Sequence, residues 1–198
     1  MSLENKVLEL LNTLNKEQKK SFGIFCLERV LSLYKKVDET ENLNIVDSSI
    51  KKGEAYKRLE SIFNEVKNKE ISDIDKLIEA CDPLILDTEE IFDNTSENEI
   101  SGLVAQGLDY LLNFEQSEDE EFIEYCSSNN IEILNQLKAR EYYVQSNFKA
   151  NDDEIMNYVK PLFEKEYEIQ IQAINFIKEQ NLEGIKNLIK ANLIEWSN

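Results

Sequence analysis

Carboxylates are the only abundant reactive side chains in this sequence, with 40 Asp and Glu set against 22 Lys and Arg and no His at all. Without imidazole there is no Ser-His-Asp or Cys-His nucleophile, no His zinc site and no Glu-x-x-His di-iron signature. Paired carboxylates could hydrolyse a glycosidic bond, but that needs two acids at a fixed separation in a cleft. In an acidic helical chain, pairs three or four apart arise by chance, so spacing is uninformative. A calcium loop fails on its own pattern. The nearest stretch starts at Asp93 and places Asn98 where Gly belongs and Val104 where the bidentate Glu belongs. Asp87, Glu89, Glu90 and Asp93 offer at most loose cation binding, which leaves a carboxylate–metal hydrolase as a weak alternative. Gly102-x-x-x-x-Gly107 is not followed by Lys-Ser/Thr, so it is no phosphate loop. No metal ligand set, cofactor site or catalytic residue is expected.

The three cysteines, Cys26, Cys81 and Cys126, are odd in number, far apart and not in Cys-x-x-Cys form. They read as reduced core residues. The N-terminal MSLENKVLEL lacks a basic region followed by an apolar one, so a cleaved secretory signal is not expected. No apolar run approaches the roughly 20 residues that span a bilayer. A cytoplasmic location is the expectation.

The charge is unevenly distributed along a chain of formal charge −18. Residues 1–70 carry a net +1, residues 71–150 a net −15 and residues 151–198 a net −4. Between Lys76 and Lys138 there is no basic side chain, and residues 77–137 contain 16 acids. A solvated face is one reading. The other is a surface for a strongly basic protein partner, because complementary fields steer encounter. Nucleic acid is disfavoured as a ligand, since its phosphates are bound by Lys and Arg, and an anionic membrane is disfavoured likewise. The expected partner-binding residues are Asp87, Glu89, Glu90, Asp93, Glu97, Glu99, Glu118, Asp119, Glu120 and Glu121. The matching function is an acidic immunity or inhibitor protein that neutralises a basic toxin such as a nuclease, and not an enzyme.

The elements that must position these residues are helices. Apolar residues recur at helical spacing nearly throughout, and neither strand alternation nor Asn-Gly or Asp-Gly turns occur. The class is all-α, a single compact domain over 1–198 with seven to nine helices, mostly antiparallel. Ser2 is an N-cap for a first helix carrying Leu3, Val7, Leu10, Leu11 and Leu14. A second helix is predicted from Lys16 to about Val37, and the stretch DETENLNIVDSS reads as a loop whose Ser48 or Ser49 caps a third. Ser72 precedes a fourth, which Pro83 ends. A fifth carries Ile100 to Leu112, and Ser117 starts a sixth that Asn129-Asn130 could interrupt. Asn151 or Asp152 begins a seventh element, with Pro161 opening a new long helix at N1. Arg29 falls inside the apolar arc of its helix, so it needs a buried partner, with Glu166 or Glu168 as candidates for a structural ion pair.

Three stretches, FCLERVLSLY at 25–34, AYKRLESIFNEV at 55–66 and EKEYEIQ at 164–170, together resemble the YjaG-like bacterial family, a domain of unknown function. The resemblance implies a helical cytoplasmic domain and brings no catalytic residues. Glu28, Arg29, Tyr56, Arg58, Glu166 and Gln170 match its recurrent polar positions, while Tyr167 stands where Trp is expected. A housekeeping protein of that kind is the alternative function.

Overall fold

Helices occupy most of the computed structural model, which describes residues 2–40, 45, 47, 49–69, 71–85 and 96–196. Among the described residues there are nine α-helices in chain order. They are α1 (Leu3–Leu11), α2 (Lys16–Glu28), α3 (Leu31–Thr40), α4 (Ala55–Asn68), α5 (Ile74–Cys81), α6 (Ser96–Ser117), α7 (Glu121–Gln145), α8 (Asp152–Lys178) and α9 (Leu182–Ala191). A 3-10 turn at Asp82–Leu84 follows α5.

The middle of the bundle is α6, whose Ile100, Val104, Leu108, Leu111, Leu112 and Phe114 are all buried. It packs against α2, α3, α4, α5 and α7. The turn from α6 to α7 leaves the two helices antiparallel, with Glu97 paired to Arg140 at one end and Asn129 bonded to the Leu103 carbonyl nearer the other. In turn α8 returns along α7, stacking Tyr158 on Tyr142 at 4.6 Å and bonding Gln170 to Ser127. By contrast α2 runs alongside α7 in the same direction, from Lys19 beside Glu120 to the Cys26 carbonyl beneath Asn130. The apolar core is continuous from Val7 on α1 to Ile194 in the C-terminal tail.

Several boundaries differ from the sequence expectation. The helix predicted over 16–37 is two helices. It breaks at Arg29 and Val30, where i→i−3 bonds tighten the chain. There the Arg29 carbonyl accepts from Ile194 N at 2.9 Å, so a tail residue takes the place of a helical partner. Ser49 does not cap the next helix, and Ser48 lies outside the described residues. It starts at Ala55, and its N-cap Glu54 makes no side-chain cap bond. The caps come from α3: the buried Asp38 accepts from Gly53 N at 3.0 Å and from Tyr56 N at 2.9 Å. α5 is capped by Asp73, one residue beyond Ser72. Ser117 closes α6 and does not open α7.

Two expected interruptions do not occur. Asn129 and Asn130 lie inside α7, because both amides find carbonyls on neighbouring helices, Leu103 O and Cys26 O. The first of these bonds needs Gly107 beneath it, where a Cβ would come within 2.9 Å of the Asn129 amide nitrogen. Pro161 does not begin a helix either, since α8 runs through it. The buried Val159 and the stacked Tyr158 hold the turns before the proline against the bundle, and packing outweighs the local preference.

Candidate functional site

The acidic run after α6 divides into acids tied down by lysines and acids left open. Lys16 meets Glu118 at 2.8 Å, Lys19 meets Glu120, and Lys20 meets Glu115 at 2.8 Å. All three lysines come from α2, about a hundred residues earlier in the chain. Lys19 and Lys20 are each 5% exposed, so losing their carboxylate partners would leave buried cations, whereas Lys16–Glu118 is a solvent-exposed pair. The three pairs clamp the α6–α7 turn, in which Glu118 takes a left-handed φ of 62°. Glu118 and Glu120 are thus each paired with a lysine of α2 while their side chains stay more than half exposed. Glu97 is likewise tied, to Arg140.

Glu99, Asp119 and Glu121 are exposed and make no ion pair with the described residues. Asp119 also accepts from Glu121 N at 3.1 Å, holding the first turn of α7. Asp87, Glu89, Glu90 and Asp93 lie outside the described residues. Among the described residues no group of three or more His, Cys, Asp or Glu is placed to hold a metal ion. No described helix is long and apolar enough to cross a membrane.

Two of these open acids, Asp119 and Glu121, lie beside a group of three aromatic rings. Tyr110 on α6 sits 5.2 Å from Tyr125 and 6.5 Å from Phe122, both on α7, and those two rings meet edge to face at 6.2 Å. Tyr125 is 39% exposed. Glu121 beside its hydroxyl pushes the phenol's pKa up, with partial burial, Asp119 and Glu124 adding to the effect. Tyr125 thus stays a neutral hydrogen-bond donor within a negative rim. Next to Tyr110, the half-buried Asp109 has its pKa raised by desolvation first and by the neighbouring Asp82 second. One bond from Asn113 Nδ2 at 2.9 Å partly offsets this. No lysine or arginine pairs with Asp109, Glu121 or Glu124 among the described residues. Aromatic faces ringed by unpaired carboxylates suit a cationic side chain, which gains both Coulomb and ring-quadrupole attraction.

A second polar feature is internal. Arg29, 1% exposed, meets both oxygens of Glu166, Nη1–Oε1 at 2.6 Å and Nη2–Oε2 at 2.7 Å, and donates from Nε to Asn192 O at 2.9 Å. Phe25 covers one face of the guanidinium at 5.2 Å. Gln170 donates to Glu166 and receives the Ser127 hydroxyl, extending the chain of bonds to α7. Glu168 is exposed and makes no bond to Arg29. Of the other positions noted in the resemblance, Glu28 pairs with Lys67 at 2.6 Å, Tyr56 donates to Glu60 at 2.7 Å, and Arg58 is exposed.

The chain shares its fold with a DUF416 family protein. That protein is from Shewanella baltica OS155 and is known from a crystal structure. The match has a TM-score of 0.66 and 18% identity, and it covers 92% of this chain and 91% of the other. At that identity the likeness establishes the fold, an all-helical domain whose name records no function. No protein-family model matches the chain, and no curated protein matches it in sequence.

The aromatic trio and its neighbours Asp109 and Glu124 are absent from the sequence-based set, which followed charge density alone. Phe122 and Tyr125 lie three apart in the first turns of α7, beside the acidic run, and that spacing was the available signal. Tyr110 joins them only through the packing of α6 on α7.

Proposed function

We propose that the chain is a binding protein that docks a basic protein partner on the α6–α7 face around Tyr125, as an immunity or inhibitor protein does with a basic toxin such as a nuclease. The observation that carries this reading is the juxtaposition of Tyr110, Phe122 and Tyr125 with the unpaired Asp109, Glu121 and Glu124. Tyrosines that are partly exposed yet packed make effective interface anchors, losing little side-chain entropy on contact. Unpaired acids around them steer a cationic partner and reject an anionic one. A second reading, a cytoplasmic housekeeping protein of the YjaG-like kind, is favoured by the fold match to a protein from a family of unknown function.

The test uses the purified full chain and the protein encoded beside its gene, which this reading requires to be basic. The expected result is co-expression rescue from that protein's toxicity and an association rate that falls by about tenfold or more as salt is raised. Glu121→Lys with Glu124→Lys should slow association further, whereas Glu99→Lys should change it little. If the neighbouring gene encodes an ordinary metabolic enzyme, and the double variant binds basic proteins as the parent does, the housekeeping reading wins.

A further inference from the structure

We propose that the tip of the α7–α8 hairpin docks a second copy of this chain, giving a two-fold dimer. The inference does not rest on the α6–α7 face, because Tyr125 lies toward the other end of α7, about 30 Å along the helix from Gln145. No residue between Leu137 and Val159 is buried, so the end of α7, the turn and the start of α8 stand beyond the core.

The tip nevertheless carries large apolar side chains. Tyr143, Val144, Phe148 and Met156 are all exposed, Phe148 to 64%. Single exposed apolar residues are ordinary, but a group of four on one hairpin end marks an interaction surface. The turn that presents them is fixed. Ser146 Oγ accepts from Lys149 N at 3.3 Å and from Ala150 N at 3.1 Å, and Phe148 N donates to Tyr143 O at 2.9 Å. Asn147 and Phe148 both take left-handed backbone, with φ of 55° and 61°. That conformation is costly for a bulky side chain, and here the ring gains little burial in return. Phe148 meets Tyr143 edge to face at 5.5 Å, so its ring is already held in place and loses little freedom on docking.

Charge selects the occupant. Two copies of a chain of formal charge −18 repel one another wherever the acidic excess faces itself. Residues 138–160 hold four basic and four acidic side chains, so the tip is neutral. A basic partner is steered to the acidic α6–α7 region and gains nothing from this one. Lys149, Lys160, Asp152 and Asp153 are exposed and make no ion pair among the described residues. A two-fold contact pairs one surface with itself, so it needs both signs on that surface. The lysines of one copy then meet the aspartates of the other, while Phe148 and Met156 pack between them.

Sedimentation velocity of the purified full chain, at about 5 to 200 µM and about 0.15 M salt, tests this. The expected result is a shift from one copy to two over that range. Glycine adopts left-handed backbone freely, so Phe148→Gly should keep the parent's circular dichroism spectrum and yet dimerise about tenfold more weakly. Met156→Glu, also at an exposed position, should do the same. Lys149→Glu with Lys160→Glu, and Asp152→Lys with Asp153→Lys, should each leave the chain monomeric, and mixing these two double variants should restore the dimer. A monomer at every concentration, a dimer that Phe148→Gly and Met156→Glu leave unchanged, or a mixture of the double variants that stays monomeric would overturn the proposal.

Discussion

Arg29 at the end of α2 and Glu166 in the middle of α8 meet fork to fork, with both carboxylate oxygens within 2.7 Å of the guanidinium nitrogens. Neither side chain exceeds 2% exposure. The pair joins the turn between α2 and α3 to α8, and through Asn192 to the tail.

Removing one member should be far worse than removing both. Glu166→Ala leaves a buried cation and is expected to cost about 3–5 kcal/mol in urea unfolding, while Arg29→Met with Glu166→Leu should lose much less. A double variant as unstable as the single would show that the pair contributes net stability of its own.

Asp109 should make stability depend on pH in the opposite sense to a salt-bridged acid. Its folded pKa lies above the usual 3.8, so the folded state holds the proton more tightly than the unfolded chain does. Its carboxylate is a penalty at neutral pH, and the penalty disappears as pH falls through the folded pKa to below 3.8. Asp109→Asn is expected to raise the melting temperature at pH 7, with the gain shrinking toward pH 3.8. A constant gain across that range would remove the titration as its cause.

Asp38 caps α4 from another helix. Asp38→Ala should destabilise the chain by about 1–2 kcal/mol, the range for losing an N-cap. Hydrogen exchange should quicken first at the Gly53 and Tyr56 amides, which donate to Asp38. Unchanged protection there would mean that water replaces the carboxylate without loss.

The cysteines should be silent in the folded protein. Burial drives the Cys81 and Cys126 thiols up to about 12, and Cys26 is pushed up by the same cause. Thiolate is the reactive species, so labelling by a disulfide reagent at pH 8 should track unfolding and accelerate with urea. Fast labelling of any one thiol in buffer would reveal a local opening around it.

Local periodicity made the helices legible, because an apolar stripe every three to four residues records which face is buried whatever lies opposite. That is why α1, with Val7 and Leu11 inward, follows directly from its spacing. The need of Arg29 for a buried carboxylate was equally readable, since an unpaired charge is not tolerated on an apolar arc. The choice of Glu166 over Glu168 belongs to the tertiary structure. On α8, Glu166 shares the inward face with Gln170, Ala173, Ile174 and Ile177, and Glu168 points to solvent.

Other features depend on pairings that no local pattern encodes. The density of acid between residues 77 and 137 is a property of composition, but which of those acids stay open was decided by three lysines of α2 packing on the α6–α7 turn. Likewise the break at Arg29 and the unbroken α7 and α8 follow from bonds to the tail and from packing between helices. Sequence alone determined the helical class, the absence of imidazole chemistry and the net negative charge. Folding alone decided where that charge is neutralised, because neutralisation needs two side chains within a few ångströms and the chain brings such partners together from a hundred residues apart.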